Sequence, residues 1–447
     1  MSHVSDAKVT LVRSLLEQAP DSAVQNLLLA LTSDRAHDAG LSAVQFMVET
    51  EAADRRARNI GFAPIAPLCG PPGPFSGLAF PTRTLYLIWK ALKEIAPDDV
   101  LAAKIQVADW RGPSAAPDIF DKLCALAASG LRSGLGTFAA AAAAADQGGG
   151  RGALAACLDI APVVRRALAH MPEWLGRMTS ERAATLRLSY RDAVAVADDA
   201  GPRFFEMLAA HLTEPWLILR VISGVMDRPT ETYVASSELA GFGERVLDDI
   251  ERLLADVGAF GPTAGRQAAH AAAIAAHRAT VEITELEQAN NLLPDGVWGQ
   301  RLARRKLGLA NVIERHLKAA ETAVAYALPL QTVRMGPRTL RGVPRLTHAA
   351  DQVLVENAAT LLTFLREVRS SASAGGFASA RAKVLEALEL RLDTYVEEVL
   401  EEIRAEDGVD PDRATAFLDI AAEFCGLIRD DKAAQIVRRR AAAAVAT

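Results

Sequence analysis

The sequence predicts an all-α protein, and three observations lead to that fold class. Apolar side chains recur at three- and four-residue steps from Leu11 to Val437, which is the spacing of one helix face. Segments that alternate apolar and polar residues, as a half-buried strand does, are almost absent. Alanine, leucine and arginine dominate the chain, and all three favour helices. We therefore expect an irregular multi-helix region over residues 1–228 and a bundle of long amphipathic helices over residues 229–447.

Length and composition indicate a globular protein with more than one core. The chain has 447 residues, of which 50% are hydrophobic, 23% charged and 5% aromatic. Single cores stop growing beyond about 250–300 residues, so two or three helical domains are expected. The net charge of −6 does not favour a polyanion as the partner of the whole chain.

The cysteines and the apolar runs bear on location. The four thiols are far apart and form no C-x-x-C pair, which is typical of buried, reduced cysteines. The first residues lack the apolar core of a signal peptide. The longest apolar run, Phe138–Ala145, is far shorter than the roughly 20 residues of a transmembrane helix. We expect a cytoplasmic protein without a transmembrane segment.

Three helices are expected at the start of the chain. The first covers about Ser5–Gln18 and the third about Asp34–Arg58. The second begins at Ser22, because Ser22 and Gln25 have the spacing of a capping box, in which two side chains satisfy the first free amides of a helix.

The stretch Gly61–Pro81 interrupts the helical pattern with six prolines and four glycines. Proline lacks an amide donor and fixes φ, so no helix crosses this region. The stretch is too apolar for a solvated linker. We predict an ordered strap held against the helices by Phe62, Ile65, Leu68, Phe75, Leu78 and Phe80.

Shorter helices are expected after the strap. Three consecutive glycines, 148–150, follow an alanine run and predict a break there. Pro202 and Pro215 suit the first turn of a helix, where a missing amide costs nothing. The predicted helices are about Thr82–Ile95, Asp98–Asp109, Pro117–Ala128, Ala153–Ala169, Ser180–Asp198, Pro202–Leu212 and Pro215–Met226.

Longer helices are expected from residue 229 onward. Gly408, Asp410 and Pro411 mark the start of the last one, because glycine ends helices, aspartate caps them and proline fits the first position. The predicted helices are about Thr230–Val257, Thr263–Leu293, Val297–Leu328, Thr347–Arg369, Ala378–Glu406 and Pro411–Arg440.

No segment carries a complete metal-binding motif. His270, His277 and Glu285 share one helix face, but the two histidines are two turns apart, too far for one helix to bring both rings to one ion. His37 and Asp38 are interpreted as a polar pair at a helix start. We therefore expect no metal and no cofactor.

Two further patterns are interpreted as structural. Gly134 and Gly136 resemble part of a dinucleotide-binding loop, but that loop follows a strand, and the preceding residues have a helical pattern. They predict a break between helices. Asp248 and Asp249 are interpreted as part of a solvated helix face.

The most specific remaining feature is the segregation of charge. Residues 298–348 hold ten lysines and arginines against two acids, a net of +8, and residues 386–431 hold fifteen acids against four arginines, a net of −11. The candidate binding residues of the basic segment are Arg301, Arg304, Arg305, Lys306, Arg334, Arg338, Arg341 and Arg345. The candidate acidic stripe, at helical spacing, is Glu386, Glu389, Asp393, Glu397 and Glu401.

Three interpretations of this charge segregation are open. Both segments could be solvated faces, because exposed charges usually contribute little to stability. The basic segment could dock on the acidic stripe, within the chain or across a homodimer. It could also bind an external anion such as nucleic acid, phosphate or acidic lipid, although few aromatic residues lie near the arginines for stacking on bases.

The function we expect is that of a non-catalytic interaction platform or regulatory protein that self-associates, with a protein or a second copy as partner. Long amphipathic helices, polarised charge and the lack of an assembled catalytic set support it. Two alternatives stay open: an enzyme with a site between the bundle helices, and an anion- or nucleic-acid-binding regulator that uses residues 301–345.

Overall fold

The structure is a computed structural model that describes residues 6–33, 39–73, 75–110, 112, 116–197, 199–226, 237, 239–289, 296–334, 340–405 and 410–445. It is 80% helical, which confirms the all-α fold class. Two compact units are present: residues 1–229 with 237–242, and residues 230–236 with 243–447. Among the described residues, no helix combines the length and the apolar character needed to cross a bilayer.

The first unit is built from short and medium helices around one central helix. Its helices are α1 (Asp6–Gln18), α2 (Asp21–Ser33), α3 (Ala39–Gly61), α4 (Thr84–Ile95), α5 (Pro97–Asp109), α6 (Ile119–Ser133), α7 (Ala139–Asp146), α8 (Arg151–Leu175), α9 (Ser180–Val194), α10 (Ala200–Ala210) and α11 (Ile218–Val225). Helices α6, α7, α9, α10 and α11 all contact α8. Because apolar residues from Leu154 to Trp174 are buried on several sides of α8, this helix forms the core of the unit.

The glycine break after α6 agrees with the sequence prediction, and the end of α8 does not. Gly134 ends α6 in the left-handed conformation, φ 61°, so the predicted glycine break between helices is confirmed. Helix α8 runs on to Leu175 through Pro172, beyond the predicted end near Ala169. The side chains of Met171 and Trp174 are buried, and this packing extends the helix past a residue that weakens it.

The strap, residues 61–81, lies against the helices of the first unit. Phe62 packs edge-on against Trp89 with ring centroids 6.0 Å apart, and Phe75 contacts Trp216 at 6.2 Å. The amide of Phe80 donates to the carbonyl of Leu68 at 2.8 Å, which closes the strap on itself. Its buried apolar side chains are Phe62, Ile65, Leu68, Phe75 and Phe80.

The triple glycine 148–150 lets the strap approach closely. The amide of Gly149 donates to the carbonyl of Ala79 at 2.8 Å. A Cβ atom on Gly148 would lie 2.4 Å from that same carbonyl oxygen, and one on Gly149 would lie 2.4 Å from the Leu78 side chain. Only glycine therefore fits at 148 without a backbone shift, whereas a Cβ atom at 149 would displace the Leu78 side chain.

The second unit contains longer helices and one β-hairpin. Its helices are α12 (Ala240–Ala259, in this unit from Gly243), α13 (Arg266–Ala289), α14 (Val297–Ala327), α15 (Gln352–Glu367), α16 (Ala378–Arg404), α17 (Pro411–Ile428) and α18 (Asp431–Val445). Helix α15 is the central element, because α13, α14 and α17 all contact it. Nine of its sixteen residues are buried.

A two-stranded antiparallel sheet stands where the sequence predicted only a connection. Strands β1 (Leu330–Arg334) and β2 (Leu340–Pro344) pair with Thr332 opposite Gly342. Each strand has five residues, so the period-two pattern is too short to detect against the surrounding helices.

The predicted last helix, Pro411–Arg440, is wrong as a single element. Arg429 leaves the helical region, with φ −111° and ψ −92°, and separates α17 from α18. The carboxylate of Asp430 accepts a hydrogen bond from the amide of Ala433 at 2.8 Å and so caps the start of α18. The two helices then pack against each other.

Candidate functional site

The cationic cluster that begins α14 is paired with acids on neighbouring helices. Arg301 donates to Glu244 at 2.5 Å, and Lys306 lies 2.9 Å from Glu287. Arg305 forms an ion pair with Glu251. Arg304 is the exception, since it has no carboxylate within 4.0 Å among the described residues and bonds only to its own helix, at the Gln300 carbonyl.

The ion pairs of Arg301 and Arg305 join α14 to α12, and that of Lys306 joins α14 to α13. Burial alone would raise the pKa of Glu244, but hydrogen bonds from Arg301 and from the indole of Trp298 lower it instead. The Trp298 donor lies 2.7 Å from the carboxylate, and its ring lies over Gly243, where a Cβ atom would be 2.4 Å away. Arg301 therefore serves a helix contact within the chain.

The β-hairpin carries the other predicted arginines. Arg341 donates through Nε to Glu398 at 2.8 Å and also bonds to Glu401, both on α16. These hydrogen bonds raise the pKa of Arg341. The side chain of Arg345 is exposed, and its amide donates to the Pro329 carbonyl at 3.0 Å. Arg334 ends β1, its side chain lies outside the described residues, and Arg338 lies outside them altogether.

Four of the five acids in the predicted stripe bind arginines of the same unit. Asp393 accepts two bonds from Arg429, at 2.8 and 2.7 Å, and Glu389 lies 3.6 Å from the same guanidinium. Glu397 accepts from Arg440 at 2.6 Å, which lowers its pKa. Glu401 binds the hairpin, as described above. Glu386 is exposed and has no cation within 4.0 Å in the described part of the chain.

The structure thus brings the basic segment and the acidic stripe together at Arg341. Of the three interpretations, this contact corresponds to docking within the chain. The other stripe acids bind Arg429, which follows α17, and Arg440 of α18. The stripe therefore faces neighbouring elements of its own unit over much of its length.

A buried carboxyl pair is the feature that the sequence did not predict. Asp249 was interpreted as solvated, but only 1% of its side chain is exposed. It accepts from Arg278 at 2.5 Å and from Arg252 at 3.0 Å, because its side of α12 faces α13 and not the solvent. Glu282, fully buried on α13, accepts from Nε of Arg278 at 2.8 Å.

Glu282 has the chemistry of a neutral acid. Burial raises its pKa most, the hydrogen bond from Arg278 opposes this shift and the neighbouring Asp249 adds to it, so that the pKa is about 8. At neutral pH the carboxyl of Glu282 is therefore protonated. The Glu282 carboxyl can hold a proton beside the ionised carboxylate of Asp249. Because arginines contact both groups, however, the pair forms an ion cluster between α12 and α13.

The histidines of the predicted face do not converge. His270 lies 3.5 Å from Glu367, and Nδ1 of His277 lies 3.0 Å from the hydroxyl of Ser371. Glu285 is buried. Over the described residues, no three histidines, cysteines or acids are arranged to hold a metal ion. His37 and Asp38 lie outside the described residues.

The N-terminal helices α1–α3 leave large apolar side chains in solvent. Among the described residues, their shared cluster contains four buried residues, Leu16, Val24, Val48 and Ala52, with six partly buried apolar residues packed against them. In contrast, Leu11 and Leu15 are each 60% exposed, Leu29 is 62% exposed and Phe46 is 70% exposed. Leu11 and Leu15 are four residues apart and so share one face of α1.

Comparison with known proteins gave no relationship for this chain: no family model, no curated protein and no solved structure matches it.

Proposed function

We propose that the protein is a non-catalytic helical interaction platform that self-associates through α1–α3. The observation that carries this proposal is that large leucine and phenylalanine side chains stay exposed beside a small cluster, which has four buried and six partly buried apolar residues in the described part of these helices. Large apolar side chains that share one exposed face, as Leu11 and Leu15 do on α1, mark interaction sites in soluble proteins, because burying them removes apolar area from water.

A second copy of the chain is the partner we propose. The same apolar helix face can pack on its symmetry mate, which is how most homodimers form. The charged segments support this choice over nucleic acid, since Arg301, Arg305, Lys306 and Arg341 already bind carboxylates of the same unit. Cations that are neutralised within the chain have less charge to offer to phosphates.

The test is the oligomeric state of a Leu11→Ser, Leu15→Ser variant. Sedimentation velocity of the parent should show an oligomer, and the variant should shift towards the monomer. A matched control replaces two separate exposed leucines, Leu188 and Leu390, which are 61% and 69% exposed, with serine. This control should sediment like the parent.

Salt concentration separates the apolar face from the charged segments. Exposed charges are screened over about 8 Å at physiological ionic strength, whereas apolar contacts are not weakened by salt. Association should therefore persist at high salt. A parent protein that is monomeric, or an oligomer that survives the Leu11→Ser, Leu15→Ser change, would contradict the proposal.

A further inference from the structure

Helices α1, α3 and α4 enclose a pocket of about 330 Å³. Small-molecule sites in proteins are clefts of roughly 300–1,000 Å³, so the volume suits a small ligand. Leu16, Phe46 and Met47 form an apolar part of the lining, and Arg58, Trp89 and Lys90 belong to its polar part.

Most of the acids in the lining are already bound to partners. Asp54 lies 2.9 Å from Lys93 and 3.0 Å from Lys104. Glu51 accepts from Arg55 at 2.7 Å. Glu94 has no cation within 4.0 Å in the described part of the chain, but its side chain is exposed. Two of the four lining carboxylates, Glu51 and Asp54, are therefore neutralised by cations of the same unit.

Glu17 and Tyr86 form a further pair in the lining. The hydroxyl of Tyr86 donates to Glu17 at 2.8 Å. Burial, together with this hydrogen bond, raises the pKa of Tyr86 to about 12, so the phenol stays neutral. The phenol is neutral, but Glu17 keeps its negative charge. Three lining cations without a close carboxylate in the described part of the chain, Arg13, Arg58 and Lys90, outnumber Glu17 and the exposed Glu94.

Arg58 is a cation that lacks a close carboxylate. Only 15% of its side chain is exposed, and Asp21, at 4.0 Å, is the single acid within that distance among the described residues. Asp21 is itself held by Arg55 at 2.6 Å and by Asn59 at 3.0 Å. The guanidinium lies 5.9 Å from the centre of the Tyr86 ring. Burial lowers the pKa of Arg58, which reflects the cost of keeping this charge away from water.

Two more hydrogen-bond donors of the lining, on Trp89 and Lys90, have no acceptor among the described residues. Only 2% of Trp89 is exposed, and its indole N–H has no hydrogen-bond partner in the described structure. An unsatisfied buried donor is destabilising, and an acceptor on a ligand would satisfy it. Lys90 is exposed at the pocket and has no carboxylate within 4.0 Å in the described residues.

We propose that this pocket binds a small organic anion, with its carboxylate or phosphate against Arg58 and Lys90 and its apolar body against Leu16, Phe46 and Met47. The indole N–H of Trp89 donates to an oxygen of the same ligand. Arginine suits this role because its planar donors match both carboxylate and phosphate. The pocket and the association face share Phe46, but Leu11 and Leu15, which the association test changes, are two positions away from Arg13 and Glu17 of the lining, on roughly the opposite side of α1.

The test uses four probes that share a benzene ring: phenyl phosphate, phenylacetate, benzyl alcohol and phenethylamine. Titration calorimetry on the full-length protein should show binding of the two anions, and weaker binding of the alcohol and the amine by tenfold or more. The tighter of the two anions identifies the head group. Equal binding of all four probes, or no binding of either anion at millimolar concentration, would overturn the proposal.

Three variants assign the site. Arg58→Gln and Lys90→Gln should weaken anion binding, by about tenfold and about threefold, and Trp89→Phe should weaken it severalfold while keeping an apolar ring. Arg56→Gln is the matched control on α3, because Arg56 is exposed and bonds to the Trp110 carbonyl outside the lining. Lys90 is exposed and unpaired, so its variant keeps the test valid if Arg58→Gln does not fold. Anion binding that neither charge variant weakens would place the ligand elsewhere and refute the proposal.

Discussion

At the scale of single residues, burial decides which carboxyl groups have a shifted pKa. Glu282 and Asp249 are adjacent carboxyl groups inside the second unit, and the pKa of Glu282 is raised to about 8 by burial and by Asp249. Asp248, the chain neighbour of Asp249, has a side chain that is 72% exposed. The sequence shows two identical residues at 248 and 249, and only the packing of α13 against α12 distinguishes them.

The raised pKa of Glu282 predicts a pH-dependent stability. An unfolded glutamate titrates near 4.5, so between about pH 5 and pH 8 the folded protein binds more protons than the unfolded chain. Unfolding then releases a proton, and the free energy of unfolding should fall as pH rises, by about 1 kcal/mol per pH unit. Glu282→Gln keeps a neutral group of the same shape and should remove this slope.

Urea unfolding at pH 5.5, 6.5 and 7.5 measures this effect as the difference between the parent and Glu282→Gln. The control is Glu386→Gln, which changes an exposed glutamate without an ion pair in the described structure. It should follow the parent at every pH. A parent and a Glu282→Gln variant that keep a constant difference in stability over this range would show that Glu282 is ionised throughout.

At the scale of elements, helices were predictable where glycine or proline ends them, and less so elsewhere. Gly134 ends α6 as predicted, because its φ of 61° is a backbone conformation that glycine adopts without strain. The break at Arg429 has no such marker, since Arg429 leaves the helix while its guanidinium binds Asp393. The nearest local signal for this break is Asp430, which caps α18. Aspartates also occur on solvated helix faces, so Asp430 alone does not predict a break.

The contact between the strap and the glycines at 148–150 gives the second prediction. Gly148→Ala should destabilise the first unit by about 1–3 kcal/mol, because the new methyl group would lie 2.4 Å from the Ala79 carbonyl. Gly152→Ala is the control. Gly152 lies in α8 with open space around it, so alanine there should stabilise the protein by up to about 1 kcal/mol. Thermal unfolding that places both variants on the same side of the parent would contradict the close approach.

The contact of Arg341 with α16 gives the third prediction. Arg341→Ser removes the hydrogen bonds to Glu398 and Glu401, so the amides of the β-hairpin should exchange with solvent faster. Arg345→Ser is the control, because its exposed side chain makes no ion pair in the described structure. Hydrogen–deuterium exchange measured by mass spectrometry compares the two. Equal protection of β1 and β2 in both variants would mean that the hairpin holds its place without Arg341.

At the scale of the whole molecule, the candidate site was only partly predictable. The sequence identified the charged segments, since charge can be counted along a chain. It did not reveal their partners, because Arg341 and Glu398 are 57 residues apart. The pocket of α1, α3 and α4 was missed for the same reason: its lining comes from three helices, and no local motif marks Arg58 or Trp89 as neighbours. The predicted boundary between residues 228 and 229 rested on helix length alone.

The two units supply the last prediction, that the chain unfolds in two separable transitions. Each unit has its own central helix, α8 in one and α15 in the other, and cores of this size are expected to melt cooperatively on their own. Four of the five tryptophans, Trp89, Trp110, Trp174 and Trp216, lie in the first unit. Fluorescence therefore reports mainly that unit, whereas far-UV circular dichroism reports the helices of both.

Two variants test this prediction. Gly148→Ala should move the fluorescence transition to lower urea and leave the later part of the dichroism curve in place. Arg278→Ala should leave the fluorescence transition in place and move the other part of the dichroism curve to lower urea. It removes a cation shared by Asp249 and Glu282, which costs about 3 kcal/mol in the second unit alone. If both probes follow one coincident curve, and each variant moves that whole curve, then the two units unfold as one cooperative body and the division into independent domains is wrong.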